Sequence, residues 1–207
     1  MAKGGAKSRW QQRQARDAYV HSAAREGYRS RASYKLLELD RRDRLLRPGL
    51  QVLELGAAPG GWSQVAAQRI GAGGKVIAVD LLPMQPIDGV VAIQGDLEHA
   101  EVRRQVETVL GESRADLLLS DMAPNISGVA LRDQAEAAEL ALLGLQIALK
   151  HLRTGGVAVV KGFQGEDFPA VKTAYATHFD RLRIRKPAAS RAESRECYLV
   201  AHGFRSQ

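Results

Sequence analysis

The run Val52-Leu53-Glu54-Leu55, followed by Gly56-Ala57-Ala58-Pro59-Gly60-Gly61, constrains the fold of this chain more than any other feature. A short apolar strand that enters a glycine-rich turn and then a helix leaves backbone open for close approach of a ligand. Nicotinamide-binding folds open in the same way, but they use G-x-G-x-x-G, and here Pro59 separates glycines at 56, 60 and 61. A bare structural turn is the simplest alternative. The next strand, Lys75-Val76-Ile77-Ala78-Val79-Asp80, argues against it by ending in a carboxylate able to accept from ribose hydroxyls. The strand after that leads to Gly95-Asp96, a second acidic side chain at the same edge, suited to an adenine amino group. Three successive strand ends therefore outline an adenosyl pocket.

Around this core, strand-like and helix-like patterns alternate. Strands are expected at 51–55, 75–80, 90–94, 116–120, 156–161, 181–186 and 196–203, and helices at 62–70, 99–110, 132–152 and 167–178. A further helix starts at Ser33, carries Tyr34, Leu36, Leu37, Leu39, Leu45 and Leu46, and closes at Pro48-Gly49. Five short strands joined by helical crossovers predict a parallel, doubly wound α/β sheet with its ligands beyond the carboxyl ends of the strands. The final two strands have no helix between them, so the last is expected to run antiparallel. At 207 residues, one domain (31–207) behind a basic, loosely ordered extension (1–30) is the expected organisation.

The charge of +7 is uneven: residues 1–50 hold 13 Lys/Arg against 5 Asp/Glu, net +8, which leaves 17 against 18, net −1, for the rest. Arg25, Arg29, Arg31 and Lys35 alternate with Tyr28 and Tyr34, a mixture suited to phosphate contact and base stacking, so RNA is the expected partner. The simpler reading is a solvated basic tail. Arg181, Arg183 and Arg185 alternate along a strand and so share one face. The N-terminus lacks the apolar centre of a secretory signal, and no apolar run reaches the roughly 20 residues of a membrane span, which points to the cytoplasm and to no membrane partner. Cys197 is alone, so no internal disulfide or zinc cluster is expected. The five histidines show no ligand spacing, and no metal is expected.

Glu54-Leu55-Gly56-Ala57-Ala58-Pro59-Gly60-Gly61-Trp62-Ser63-Gln64, Asp121-Met122-Ala123-Pro124-Asn125 and Val160-Lys161-Gly162-Phe163-Gln164-Gly165 together resemble the FtsJ/RrmJ heat-shock methyltransferases, the large-subunit ribosomal RNA 2′-O-methyltransferase E group. The similarity spans residues 25–204. It implies a Rossmann-like class I methyltransferase with a seven-stranded sheet, S-adenosylmethionine as donor, a uridine ribose in the A-loop of large-subunit (23S) rRNA as acceptor, and a monomer. Carried over position by position, it implies a catalytic tetrad of Lys35, Asp121, Lys161 and Glu196. It likewise implies cofactor contacts at Gly60, Trp62, Asp80, Asp96 and Asp121.

Topology supports the tetrad independently. Asp121 and Lys161 each follow an apolar strand, and Glu196 opens an antiparallel one, so all three meet at the carboxyl edge. Lys35 sits in the first turn of its helix, where a cation opposes the helix dipole. Each residue alone has a dull alternative as a solvated surface charge or, for Asp121, a turn former. Trp62 either lines the cofactor pocket or packs the helix start. Methylation of pyrimidine C5 would require a cysteine adduct, and Cys197 should point away from Glu196 as a buried packing residue. Methylation of an exocyclic amine commonly uses an Asn/Asp-Pro-Pro-aromatic turn, and Asp121-Met122-Ala123-Pro124 lacks it. A non-catalytic RNA-binding or ribosome-assembly factor on the same fold is the competing reading.

Overall fold

The computed structural model of the protein describes residues 18–125, 127–191 and 194–206. Its seven strands are β1 (Gln51–Leu55), β2 (Lys75–Asp80), β3 (Val90–Gln94), β4 (Ala115–Ser120), β5 (Leu152–Phe163), β6 (Phe179–Arg185) and β7 (Glu196–Phe204). They form one sheet in the order β3-β2-β1-β4-β5-β7-β6, with β7 antiparallel to both of its neighbours and the other pairings parallel. The described helices are α1 (Ala18–Arg25), α2 (Ser33–Asp43), α3 (Gly61–Ile70), α4 (Ala100–Leu110), α5 (Ala130–His151) and α6 (Phe168–His178).

Strand alternation sorts the apolar side chains onto two faces, and each face recruits its own helices. Leu53, Leu55, Val79, Leu118, Val160 and Leu199 meet Val102 and Val106 of α4, Ala141 and Leu145 of α5, and Val171 and Tyr175 of α6. On the other face Val52, Ala78, Leu119, Val159 and Val200 meet Leu36 and Leu39 of α2 and Trp62, Val65 and Ile70 of α3. Strand order reverses direction between β1 and β4, so the loops after these two strands splay apart and leave a crevice at their carboxyl ends.

Three expectations need correcting. Residues 18–30, expected as loose extension, include α1 and a turn that packs onto the domain, while residues 1–17 lie outside the described residues. Tyr34 gathers Tyr19 and Tyr28, with ring centroids 5.4 and 5.7 Å away. Arg29 holds the turn down, donating to the carbonyls of Gln85 and Pro86 at 2.6 Å each. The second correction is that α2 stops at Asp43 rather than Pro48. Arg44 adopts a left-handed conformation, and the Asp40 carboxylate takes the Leu46 N–H at 2.8 Å, so Leu45 reaches the core from a loop. The third is that β5 starts at Leu152, not residue 156: Leu152 pairs with Ala115 before the register shifts.

Candidate active site

Two loops meet above the switch point. Gly56, at φ 72°, lies so close to the loop after β4 that a Cβ would come within 2.8 Å of Met122 Cγ and 2.9 Å of its backbone nitrogen. Between these loops and the ends of β2 and β3 lies a cavity of about 420 Å³, walled by Gly56, Ala58, Val79–Leu81, Gly95–Glu98, Asp121–Ala123, Leu140 and Leu143. Asp80 and Asp96 both line it, as the strand-end argument expects. The backbone fixes their carboxylates: Asp80 accepts from the N–H of Ala58 and of Leu82, and Asp96 from that of Glu98, all at 2.8 Å. Oriented carboxylates beside Leu97, Met122 and Leu140 provide hydroxyl acceptors and an apolar slot for a flat heterocycle.

Asp121 is shared between this cavity and a polar cluster at the same edge. Lys161 Nζ donates to Asp121 Oδ1 at 2.7 Å and to the Asp121 carbonyl at 2.8 Å. Lys35 Nζ, brought in by the first turn of α2, lies 2.7 Å from Glu196 Oε1. Glu196 begins β7 opposite Phe163, and Lys161 pairs across the ladder with Tyr198, so the antiparallel strand delivers its start to the end of β5. The four expected residues converge.

The electrostatics are balanced, with two cations against two carboxylates. Burial pushes the Asp121 carboxyl up, but the charges of Lys161 and Lys35 and hydrogen bonds from Lys161 and Tyr198 outweigh it and hold it below the usual aspartate value. Glu196 follows the same pattern: burial raises it, and Lys35 and Lys161, helped by the Ser190 hydroxyl at 2.7 Å, bring it below its ordinary value. Both carboxyls are therefore ionised at neutral pH.

Gly60 and Trp62 are placed differently. Neither lines the main cavity. Trp62 is buried, donates its indole N–H to the Ala32 carbonyl at 2.7 Å, and lies 5.5 Å from the Tyr198 ring. It does line a second cavity of about 180 Å³, which shares Gly56, Ala58 and Asp121 with the first. A Cβ on Gly60 would meet Met84 and Ile87, on the side of the loop after β2.

Residues 28–204 match the FtsJ-like methyltransferase family. The chain belongs to that family. Among FtsJ-like relatives, "Ribosomal RNA large subunit methyltransferase E" of Marinobacter nauticus is 50% identical over 205 residues, covering 99% of each chain. The protein of the same name from Chromohalobacter salexigens is 52% identical over 188 residues, 91% of this chain and 90% of its own. A solved Plasmodium falciparum structure, described as a ribosomal RNA methyltransferase, superposes with a TM-score of 0.80 at 32% identity, covering 87% of this chain and all of its own.

Sequence reasoning missed two members of the FtsJ-like site. Tyr198 donates its hydroxyl to Asp121 Oδ1 at 2.6 Å, and its oxygen lies 3.4 Å from Glu196 Oε1, so it ties the two ion pairs together. Burial, with both carboxylates beside it, raises its phenol well above the ordinary tyrosine value and keeps it a donor. The signal was present, since i and i+2 on a strand share a face. Ser190 comes from the preceding loop and had no such signal. The basic residues have partners within the protein: Arg31 donates to the Ala189 carbonyl, and Arg183 and Arg185, on one strand face as their alternation predicts, both bind Asp43. Cys197 is buried, and burial pushes its thiol up to about 11, as a packing residue requires. None of the described helices is long and apolar enough to cross a membrane.

Proposed function

We propose that the chain transfers a methyl group from S-adenosylmethionine to the ribose 2′-oxygen of a uridine in large-subunit ribosomal RNA, in the A-loop, in support of late ribosome assembly. The observation that carries this reading is the double role of Asp121, which is a wall of the adenosyl-sized cavity and the anchor of Lys161. A group able to handle a hydroxyl proton thus sits at the mouth of a donor pocket. The names of the relatives support ribosomal RNA as the acceptor.

The cavity suits the donor through the chemistry of its walls: Asp80 and Asp96 for hydroxyls and amine, and Leu97, Met122, Leu140 and Leu143 for the ring. S-adenosylmethionine, when bound, supplies an electrophilic sulfonium methyl. The protein's part is to align the acceptor oxygen and take its proton. The Lys161 ammonium first gives one proton to solvent; the amine that remains has two N–H groups, and the Asp121 carboxylate and carbonyl accept both, which turns the lone pair toward the incoming hydroxyl. Lys161 therefore accepts the 2′-hydroxyl proton at Nζ, Asp121 positions Lys161, and Glu196 and Lys35 hold the surrounding network at neutral net charge.

Incubating the protein with methyl-labelled S-adenosylmethionine and large-subunit RNA, free or in particles from cells lacking the enzyme, should place the label on one uridine ribose. Label on a base, or no transfer to either form, would exclude the proposal.

A further inference from the structure

The two edges of the sheet carry opposite charge. At the β3 edge, residues 76–102 include five carboxylates (Asp80, Asp88, Asp96, Glu98 and Glu101) and no lysine or arginine. At the β6 edge the strand itself holds Arg181, Arg183 and Arg185, and the end of α2 with the loop after it holds Arg41, Arg42, Arg44 and Arg47. These two basic runs meet on one face. Arg183 and Arg185 pair across the ladder with Val200 and Tyr198, which lie on the face packed under α2 and α3, and alternation adds Arg181. Asp43 then ties the end of α2 to β6 by bonding to Arg183 and Arg185. Asp180, the carboxylate of β6, falls on the opposite face by the same alternation, 3.8 Å from Arg205.

Ion pairs absorb only part of this charge. Asp43 takes Arg183 and Arg185, and Glu38 takes Arg42 at 3.1 Å. Among the described residues, Arg44, Arg47 and Arg181 are exposed and form no ion pair. The field they leave is felt nearby: burial, and after it the charge of Arg181, hold the His202 imidazole below its ordinary value, with Asp43 opposing and Arg183 and Arg185 adding. The edge is therefore positive even with the Asp43 carboxylate in place. It also lies at a definite distance from the chemistry. Lys161, Tyr198 and Arg185 align across β5, β7 and β6. Arg181 is four residues farther along β6, about 13 Å, and two strands across from Lys161, about 10 Å. One nucleotide seated on Lys161 does not span that separation, but the RNA that flanks it does.

We infer that the α2–β6 edge, through Arg44, Arg47 and Arg181, binds the phosphate backbone of the RNA that flanks the acceptor nucleotide. This rests on the RNA methyltransferase reading above. The flanking RNA then lies over β7 and β6 and away from β2 and β3, because the carboxylates of the β3 edge repel the same polyanion that the β6 edge attracts. Each exposed guanidinium that meets a phosphate releases a condensed counterion, so the surface contributes affinity without reading sequence. Asp43 takes no part in this contact: its substitution leaves all three arginines charged.

The test is equilibrium binding of the full chain to free large-subunit ribosomal RNA over a series of salt concentrations. Two triple variants remove the same charge from opposite faces. Arg44→Gln with Arg47→Gln and Arg181→Gln empties the proposed surface. Arg104→Gln with Lys150→Gln and Lys172→Gln takes three exposed cations from α4, α5 and α6, on the far face. The first triple should lower the slope of log affinity against log salt by about 2–3 and weaken binding about 10–100-fold at 100 mM salt. The second should stay within about threefold of the parent. Arg44→Lys with Arg47→Lys and Arg181→Lys should keep the parental slope, since an ammonium also neutralises a phosphate. Arg181→Gln alone, on an edge strand, should lower the slope by about 1. Equal losses in the two glutamine triples, or a parental slope in the first, would overturn the assignment while the RNA reading stands. No salt-dependent binding by the parental chain would sink the RNA reading and this surface with it.

Discussion

Helix α2 joins the sheet through a charge cluster at each end, and the two clusters differ in what they leave open. At its first turn Lys35 meets Glu196, and beyond them Tyr198, Asp121 and Lys161 continue the network beside two cavities. At its last residue Asp43 is fully enclosed, with Arg185 forked onto both oxygens at 2.8 Å and Arg183 on one at 3.1 Å. Neither cavity includes Asp43. Hydrogen bonding from Arg185 holds the Asp43 carboxyl below the usual range, with burial opposing and Arg183 assisting. Both clusters have buried carboxylates and strong donors, so burial and depressed acidity do not by themselves mark a reactive site. What separates them is closure: the Asp43 clamp is complete within the protein, whereas the Lys35–Glu196 end adjoins space for a ligand.

Variants at the two ends should behave accordingly. The largest effect is expected for Asp121→Asn, which leaves Lys161 without its anionic anchor. Single-turnover transfer should fall about 10³-fold with the fold intact by circular dichroism. Lys35→Met should cost about 10²-fold in the same assay, since it leaves Glu196 partly unpaired. Asp43→Ala should instead lower the stability measured by urea unfolding by about 2 kcal/mol, the scale of a charged hydrogen-bonded pair, with transfer nearly unchanged. The clamp also has a pH signature. Because its carboxyl is depressed in the folded state, Asp43 contributes stability above the unfolded value near 3.9, and that contribution disappears as pH falls through the lower folded value. Asp43→Asn should therefore show a shallower loss of stability below about pH 4. Smallest is Tyr198→Phe, which removes one hydrogen bond to Asp121 and should slow transfer about fivefold. A rate defect in Asp43→Ala at matched folded fraction would erase the distinction between the two ends.

The sheet was legible because apolar runs and glycine turns are local signals, and the crevice follows from crossover topology. The convergence of Asp121, Lys161 and Glu196 was legible for the same reason, given one antiparallel strand. What was hidden depends on long-range packing. The end of α2 at Asp43 is the local exception: the Asp40 side chain and a left-handed Arg44 impose it, with no glycine at that position to announce it. Arg29 and Arg31 read as free basic side chains until their carbonyl partners, 56 and 158 residues away along the chain, are in place. Glu54 appeared only as a letter in a motif; its burial and its orphaned oxygen required α3 to be laid across the strand.

The most direct test sets Lys161→Met beside Asp43→Asn in single-turnover methyl transfer to large-subunit RNA, with S-adenosylmethionine saturating and both variants at equal folded fraction. Lys161→Met should lose at least about 10²-fold while Asp43→Asn stays within about threefold of the parent. Equal losses in the two variants, or a parental rate in Lys161→Met, would contradict the assignment of the chemistry to the Asp121–Lys161 end.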